Sequence, residues 1–197
     1  MDIVFSEDSL QYRVIGGVLD FWIFTGASPL EVVKQYQSVI GKPHLIPIWA
    51  LGFHQCRYGM NTLNKTAEVV EKYREYGIPL EGIWNDIGYM NDYKTFTINP
   101  VTFDGLNQFT NQLHYNSQKY VIIIDPGIKI QPGYDAYDDG MVGNVFIKNA
   151  TGNVPFRGKM FTGATYFPDF SHPNTSDFWA ENFRQLFAQV KFDGVWL

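Results

Sequence analysis

Two aspartates follow apolar segments of this sequence and could accept hydrogen bonds from a ligand. Asp86 lies near the end of the segment 82–87, and Asp125 ends the segment 120–125. The carboxyl ends of parallel strands meet at one edge of a sheet, where ligands of α/β proteins bind. Two carboxylates there could accept hydrogen bonds from sugar hydroxyls or bind a cation. The alternative is a local role, with Asp86 capping the next turn and Asp125 bonding just before Pro126.

Other residue types that often carry chemistry are predicted to be structural. His54 lies in an apolar segment and is predicted to be a core histidine with satisfied hydrogen bonds. Cys56 is predicted to be a small buried hydrophobic residue. The acidic loops lack the Asp-x-Asp-x-Asp-Gly spacing of a calcium loop, and no glycine-rich phosphate loop opens a helix. The sequence therefore predicts neither a metal site nor a cofactor.

The composition argues against several classes of partner. The 197 residues carry a net charge of −5 without any basic run, which argues against nucleic acid. No apolar stretch approaches the roughly 18 residues that a membrane span needs. The N-terminal segment MDIVFSEDSLQYR lacks the apolar region of a signal peptide. Aromatic residues make up 17% of the chain, which suits either a large core or a surface that binds sugar rings.

Three Asn-x-Ser/Thr sequons could accept N-linked glycans. They begin at Asn64, Asn149 and Asn174. Such sequons are used in proteins of the secretory pathway. They favour a secreted or lumenal protein without establishing one.

Strands and helices are predicted to alternate from residue 46 onwards, which indicates an α/β fold. The strands are expected at 48–56, 82–87, 120–125 and 192–197, and the helices at 64–76, 105–116 and 175–189. This order predicts a parallel sheet with right-handed crossovers. Four strands form either an open sheet or half of an eight-stranded barrel. The stretch 126–173 is predicted to be an irregular functional loop or a small insertion.

The first 45 residues have a different pattern. Two apolar strands, at 11–15 and 18–24, flank Gly16-Gly17, which predicts a β-hairpin there. Ser28 and Pro29 suit the N-cap and first turn of a helix that ends before Gly41.

Several segments, in this order, resemble glycoside hydrolase family 31. The run IPIWALGFHQCRYGMNT (46–62) looks like the first barrel strand of that family. The run IPLEGIWNDIGYMNDYKTFTINPVTF (78–103) resembles its second strand and the loop after it. KYVIIIDPGI (119–128) looks like the third strand, and FPDFSHPNTSDFW (167–179) with KFDGVWL (191–197) resembles the run into the fourth.

This resemblance implies an α/β fold that is the first half of a (β/α)8 TIM barrel. The half-barrel is expected at 46–197, with a loop insertion at about 126–173. Upstream, 1–26 resembles the end of the family's N-terminal β-sandwich domain, and 27–45 its linker helix. The Cys-Arg-Tyr-Gly run and the segment YDAYDDG with NVFIKNATG look most like the branch that contains lysosomal acid α-glucosidases and maltase-glucoamylases.

The resemblance also implies a retaining α-glucosidase that removes terminal glucose from maltose or glycogen-like oligosaccharides. One carboxylate forms a glycosyl-enzyme and a second acts as acid and base, with the carboxyl groups about 5–5.5 Å apart. The family's nucleophile motif matches here through Trp196-Leu197, so the nucleophile is expected immediately after Leu197. The acid/base is expected further on. The 197-residue chain is therefore predicted to be inactive by itself.

Carried over position by position, the resemblance implies a set of substrate-binding residues. Asp86 matches the Asp that binds hydroxyls of the non-reducing glucose. Asp125 matches the Asp that ends the third strand beside that glucose. The implied walls of the pocket are Tyr58, Ile87, Ile123, Phe161 and Trp196.

Two positions depart from the family pattern near the implied sugar site. Gly88 stands where the family commonly has Asp, and Phe161 where it usually has Trp. Drift in a non-catalytic copy would look the same, so a non-catalytic sugar-binding or regulatory truncated homologue is the alternative hypothesis. An unrelated open α/β binding module is a third.

Location and self-association follow from the same comparison. The full-length protein is expected in the lysosome or elsewhere along the secretory pathway, including the extracellular space. Half a barrel leaves edge strands and an apolar inner face exposed, so the isolated chain is expected to self-associate.

Overall fold

The computed structural model describes all 197 residues, which form two compact units, Met1–Ile46 and Pro47–Leu197. The first unit contains an antiparallel hairpin of β1 (Asp2–Phe5) and β2 (Leu10–Arg13). The predicted turn at Gly16-Gly17 was wrong, because the chain reverses at Ser6–Ser9 instead. There the Ser6 N–H donates to the Ser9 carbonyl at 2.9 Å and the two hydroxyls lie 2.9 Å apart, so polar side chains close the turn.

The predicted helix of the first unit is present as α1 (Pro29–Ile40). The Ser28 hydroxyl accepts from the Glu31 N–H at 3.4 Å, and Pro29 occupies the first turn. Gly41 ends the helix with a φ of 86°, a conformation that favours glycine. That this helix links a β-sandwich to a barrel stays a prediction.

The second unit is built on a four-stranded parallel sheet in the order β3-β4-β5-β9. Its strands are β3 (His54–Arg57), β4 (Gly82–Asn85), β5 (Lys119–Ile123) and β9 (Gly194–Trp196). The crossovers contain α2 (Leu63–Glu75), α3 (Leu106–Tyr115) and α5 (Thr175–Gln189). This is the predicted alternation of strands and helices.

The first strand is shorter than the sequence predicted. Residues Ile48–Leu51 form a 3-10 turn, with the Ala50 N–H donating to the Pro47 carbonyl at 3.0 Å, and pairing begins only at His54. Cys56 was predicted to be buried, and this was wrong: it is an exposed free thiol. The reason is that Cys56 lies on the face of β3 opposite the helices, and β3 is an edge strand.

The core lies between the sheet and the helices. Ile83, Tyr120, Ile122 and Ile124 are completely buried there. A polar group is buried with them: the Asn85 amide donates to the Thr66 hydroxyl at 2.9 Å and accepts from the Tyr120 hydroxyl at 2.9 Å. These bonds connect β4 to β5 and to α2.

The carboxylate of Asp193, just before β9, holds the opposite end of the sheet. It accepts from His114 Nε2 at 2.7 Å, from the Tyr120 N–H at 2.9 Å and from Lys119 Nζ at 3.2 Å. Burial would raise the pKa of Asp193, but these hydrogen bonds outweigh it and lower the pKa. One carboxylate thus joins α3, β5 and β9.

The stretch 126–173 is more ordered than predicted. It contains β6 (Ile128–Lys129), α4 (Asp135–Val142), β7 (Gly158–Met160) and β8 (Gly163–Tyr166). The three strands form an antiparallel sheet in the order β6-β8-β7. Strands of two to four residues are too short to show a clear alternating pattern, which explains why this stretch was predicted only as an irregular loop or a small insertion. None of the helices in the structure combines the length and apolar character that crossing a bilayer requires.

Candidate active site

The carboxyl edge of the parallel sheet brings several predicted site residues to one level. Strand pairing aligns Arg57 with Asn85, Asn85 with Ile122, and Ile122 with Val195. Asn85 and Ile122 are buried against the helices. Side chains alternate along a strand, so the next residue of each strand faces the opposite side, the inner face of the half-barrel. Those next residues are Tyr58, Asp86, Ile123 and Trp196.

Asp86 caps the next turn, which was the alternative prediction for this residue. It also lies at the carboxyl edge of the parallel sheet. Its Oδ1 accepts from the Ile87 N–H at 2.6 Å and caps the 3-10 turn Ile87–Tyr89. The other carboxylate oxygen has no hydrogen bond from the protein. Its charge also contributes to raising the pKa of Cys56, after the larger effect of partial burial. Cys56 and Asp86 therefore share the inner face.

Asp125 lies close to Asp86 and has no hydrogen bond to its side chain. Burial, and then the negative charge of Asp86, raises the pKa of the Asp125 carboxyl. Its Oδ2 is buried without a partner, while its backbone carbonyl accepts from the Thr95 hydroxyl at 3.0 Å. A buried acceptor without a donor is costly. The other oxygen, Oδ1, also accepts no hydrogen bond from the protein and is not buried, so it is the oxygen that a ligand hydroxyl could reach.

A row of aromatic rings lines the inner face beside these acids. Ring centroids are separated by 5.7 Å from Trp49 to His54, 5.9 Å from His54 to Trp84, and 6.2 Å from Trp84 to Trp196. The indole N–H of Trp84 lies 3.0 Å from His54 Nδ1, and His54 Nε2 lies 3.0 Å from the Trp49 carbonyl. An indole N–H only donates, so Nδ1 accepts and Nε2 carries the proton. The prediction that His54 has satisfied hydrogen bonds is confirmed.

The remaining predicted wall residues differ in exposure. Ile123 is buried, Ile87 is half-buried, and Tyr58 is 64% exposed. Together with Trp196 they form an open surface rather than an enclosed pocket. A cavity of about 630 Å³ lies elsewhere, along α5, and is lined by Phe170, His172, Trp179 and Phe183 among others.

Phe161 is carried by the inserted sheet. It lies in the turn between β7 and β8 and contacts Tyr93, with ring centroids 6.3 Å apart. Tyr93 was not identified from the sequence. It lies in the loop after β4 with a φ of 54°, and a left-handed tyrosine has no sequence signature that could have identified it.

The departure at Gly88 has a structural explanation. A Cβ atom at this position would lie 2.1 Å from Asn61 Oδ1 and 3.2 Å from the Asn61 Cα. The acidic side chain common in the family would therefore require Asn61 to move. Glycine at position 88 leaves room for the Asn61 side chain, so this departure is not by itself a sign of lost function. No three His, Cys, Asp or Glu side chains lie close enough together to hold a metal ion.

The substitution Asp125→Asn is expected to increase the free energy of unfolding at pH 7. A raised pKa means that the folded state binds its proton more tightly than the unfolded chain, so the ionised carboxylate destabilises the fold. We expect a gain of up to about 1 kcal/mol, since water still reaches the group.

The gain should be complete above the raised pKa of Asp125 and disappear below about pH 4, where the unfolded carboxyl is also protonated. Urea unfolding between pH 3 and 8 measures it. The matched control is Asp104→Asn, an exposed position that should change little. An Asp125→Asn protein less stable than the wild type at pH 7 would contradict this account.

Comparison with known proteins identifies the family that this chain resembles. Residues 43–197 match the glycosyl hydrolases family 31 TIM-barrel domain. Alpha-xylosidase 1 of Arabidopsis thaliana is 42% identical over 199 residues, which cover 100% of this chain and 22% of that protein. Lysosomal alpha-glucosidase of Bos taurus is 41% identical over 201 residues, which cover 100% of this chain and 21% of that protein.

A solved structure agrees. The crystal structure of a family 31 alpha-glucosidase from Bacteroides thetaiotaomicron matches with a TM-score of 0.85 and 31% identity, covering 98% of this chain and 33% of that one. The predicted fold class, the first half of a TIM barrel, is confirmed. The chain spans about a fifth of the length of the two relatives named above. The chain belongs to glycoside hydrolase family 31.

Proposed function

We propose that this chain forms one side of the sugar site of a retaining α-glucosidase. The substrate is a terminal α-linked glucose of maltose or of a glycogen-like oligosaccharide. The observation that carries the proposal is the pair of neighbouring carboxylates, Asp86 and Asp125, of which Asp125 keeps a buried oxygen without a donor. A sugar hydroxyl can donate to the other oxygen of Asp125, Oδ1, which also has no hydrogen bond from the protein.

The roles follow from position. Asp86 accepts hydrogen bonds from hydroxyls of the terminal glucose through the oxygen that does not cap the Ile87 turn. Asp125 accepts from the same ring on its other side. The apolar faces of the sugar pack against a wall formed by Tyr58, Ile87, Ile123, Phe161 and Trp196. A hydrogen bond to a charged acceptor contributes about 1.5–3 kcal/mol, so each carboxylate matters to binding.

The bond-breaking groups are proposed to lie outside these residues. The nucleophile is expected directly after Leu197, at the tip of β9 beside Trp196, with the acid/base beyond it. A retaining mechanism needs two such carboxyl groups. Asp86 already caps a turn and binds sugar in this account, so the 197-residue chain alone is expected to hydrolyse nothing.

The test is to read the native transcript past the codon for Leu197 and express the protein that it encodes. We expect an Asp to follow Leu197 and the product to release glucose from maltose with retained α configuration, which proton NMR detects. Asp86→Asn should lower kcat/KM about 10- to 150-fold, because a charged hydrogen bond to the substrate is lost.

Asp104→Asn, at an exposed position two residues before α3, is the matched control and should leave kcat/KM unchanged. An encoded protein that binds maltose without hydrolysing it would instead favour the non-catalytic sugar-binding homologue. One that does neither would refute the proposal altogether.

We also propose that the protein passes through the secretory pathway to the lysosome or the extracellular space. The sequons support this, and they differ in how a glycan would fit. Asn149 lies in a surface turn, and its Oδ1 accepts from the Thr151 hydroxyl at 2.9 Å. The Asn174 amide donates to the Gly143 carbonyl at 3.3 Å, a bond that a glycan on Nδ2 would disturb. Asn64 is exposed, but its partner Thr66 is fully buried.

Asn149 is therefore the sequon that we expect to be occupied first when the protein is made in a eukaryotic secretory host. Asn149→Gln should abolish one increment of mass that peptide-N-glycosidase also removes. Asn174→Gln should leave that increment in place. A secreted protein with unmodified Asn149 would contradict the ranking.

We propose finally that the isolated 197-residue chain self-associates. Its sheet ends in two unpaired edge strands, β3 and β9, and Trp196 on the inner face and Leu197 just after β9 are both exposed. Exposed edges and contiguous apolar surface favour association. Sedimentation velocity from about 1 to 100 μM should show the mean mass rising with concentration, and a single monomeric boundary throughout would refute the proposal.

A further inference from the structure

Two aromatic rings near Asp125 remain exposed although they contact one another. Tyr93 is 41% exposed and Phe161 is 45% exposed. Their rings meet edge to face, with centroids 6.3 Å apart and planes at 78°. In this arrangement the contact covers an edge of one ring and leaves ring faces free to bind.

The backbone that presents Tyr93 is strained. Asp92 and Tyr93 are consecutive residues with φ angles of 53° and 54°, in the left-handed region. A residue other than glycine is disfavoured in this conformation, because its Cβ comes too close to the backbone. Such strain persists only where neighbouring groups hold the chain in place, and it is concentrated at functional sites.

Several contacts hold this loop. Lys129, from the inserted sheet, forms an ion pair with Asp92 and lowers the pKa of that carboxyl. The Thr97 hydroxyl donates to the Lys94 carbonyl at 2.6 Å and accepts from the Asn91 N–H at 3.0 Å. The position of Tyr93 is thus fixed by its neighbours.

The same loop is attached to the candidate sugar site. The Thr95 hydroxyl donates to the backbone carbonyl of Asp125 at 3.0 Å, and the Tyr134 hydroxyl donates to the Thr95 carbonyl. On the other side, Gly127 packs so closely against Met160 that a Cβ there would lie 2.2 Å from the Met160 sulfur. Thr95, two residues after Tyr93, and Met160, next to Phe161, thus both contact the segment 125–127. These contacts anchor the two rings to that segment.

We propose that Tyr93 is a specificity-determining residue that, with Phe161, binds the second sugar ring of the substrate. This rests on the proposed function, in which Asp86 and Asp125 hold the terminal glucose at the sheet edge. Tyr93 and Phe161 lie on loops that follow β4 and β5, beyond that edge along the strand direction. A ring linked to the terminal glucose extends outward from the sheet edge and meets the exposed aromatic faces. Tyr93 adds a hydroxyl that can hydrogen-bond to that ring.

The test compares glucose with maltose as ligands of the 197-residue chain, using saturation-transfer NMR titrations. The main variant is Tyr93→Asn, which removes the ring while placing at this position a residue that tolerates the left-handed conformation. The wild-type chain should bind maltose more tightly than glucose. Tyr93→Asn should weaken maltose binding about two- to tenfold and leave glucose binding unchanged.

Three further variants make the result specific. Tyr93→Phe keeps the ring and should retain most of the preference for maltose. Phe161→Leu removes the partner ring and should weaken maltose binding more than glucose binding, since Phe161 is also part of the wall proposed for the terminal glucose. It keeps the proposal testable if Tyr93→Asn folds poorly. Tyr76→Asn, at a residue 72% exposed beside α2, is the matched control and should change neither affinity.

The outcomes separate this inference from the proposed function. If both sugars bind, Asp86→Asn abolishes binding, and Tyr93→Asn has no effect on maltose, then the role of Tyr93 is refuted while the sugar site stands. An equal loss of both sugars in Tyr93→Asn would show a structural role and also refute it. If the wild-type chain binds neither sugar, both proposals are refuted.

Discussion

The buried amide of Asn85 is the interaction on which the sheet edge depends. It is fully buried, and its hydrogen bonds to Thr66 and Met60 and from Tyr120 fix which side of β4 faces the helices. Because side chains alternate along a strand, orienting Asn85 towards the helices turns Asp86 to the inner face. A buried polar group that is fully satisfied specifies one arrangement, since any other leaves its donors and acceptors without partners. The position of the Asp86 carboxylate in the candidate site thus follows from the burial of Asn85, the preceding residue, in the core.

The inner face and the loop beside it contain energetically unfavourable features that the core lacks. Two carboxylates lie close enough for the charge of Asp86 to raise the pKa of Asp125, and one oxygen of Asp125 has no donor. Two successive residues of the following loop are held in left-handed conformations. Core interactions such as Asn85 and Asp193 offset these local losses. Unfavourable interactions at the sheet edge, combined with complete hydrogen-bond networks elsewhere, are typical of a binding site.

The sequence predicted those features that depend on local pattern. Helix α5 has the predicted bounds, 175–189, because its apolar residues recur with helical spacing. Strands β4 and β5 were recognised as apolar runs ending in acids, and this also located Asp86 and Asp125. The inserted sheet was missed because its strands are very short, and Cys56 was judged buried because composition does not show which face of an edge strand is covered.

Features that depend on tertiary contacts had no local signal. The left-handed Tyr93 and its contact with Phe161 join two loops far apart in the chain. The fit of Gly88 to Asn61 likewise depends on a neighbour that the sequence does not identify. The substrate-binding roles of the seven residues named from the family resemblance remain predictions, although four of them share one level of the sheet.

Residues of the parallel sheet and residues of the inserted sheet are constrained by the core to different degrees. Asp86, Ile123 and Trp196 belong to strands whose register the core fixes, so they can change only together with that core. Phe161 is carried by a hairpin attached at one side of Asp125, and the hairpin can be lengthened, shortened or replaced without disturbing the strands. If Phe161 contacts the substrate as proposed, a change in this hairpin would alter which sugars are preferred while the residues at the sheet edge stay in place.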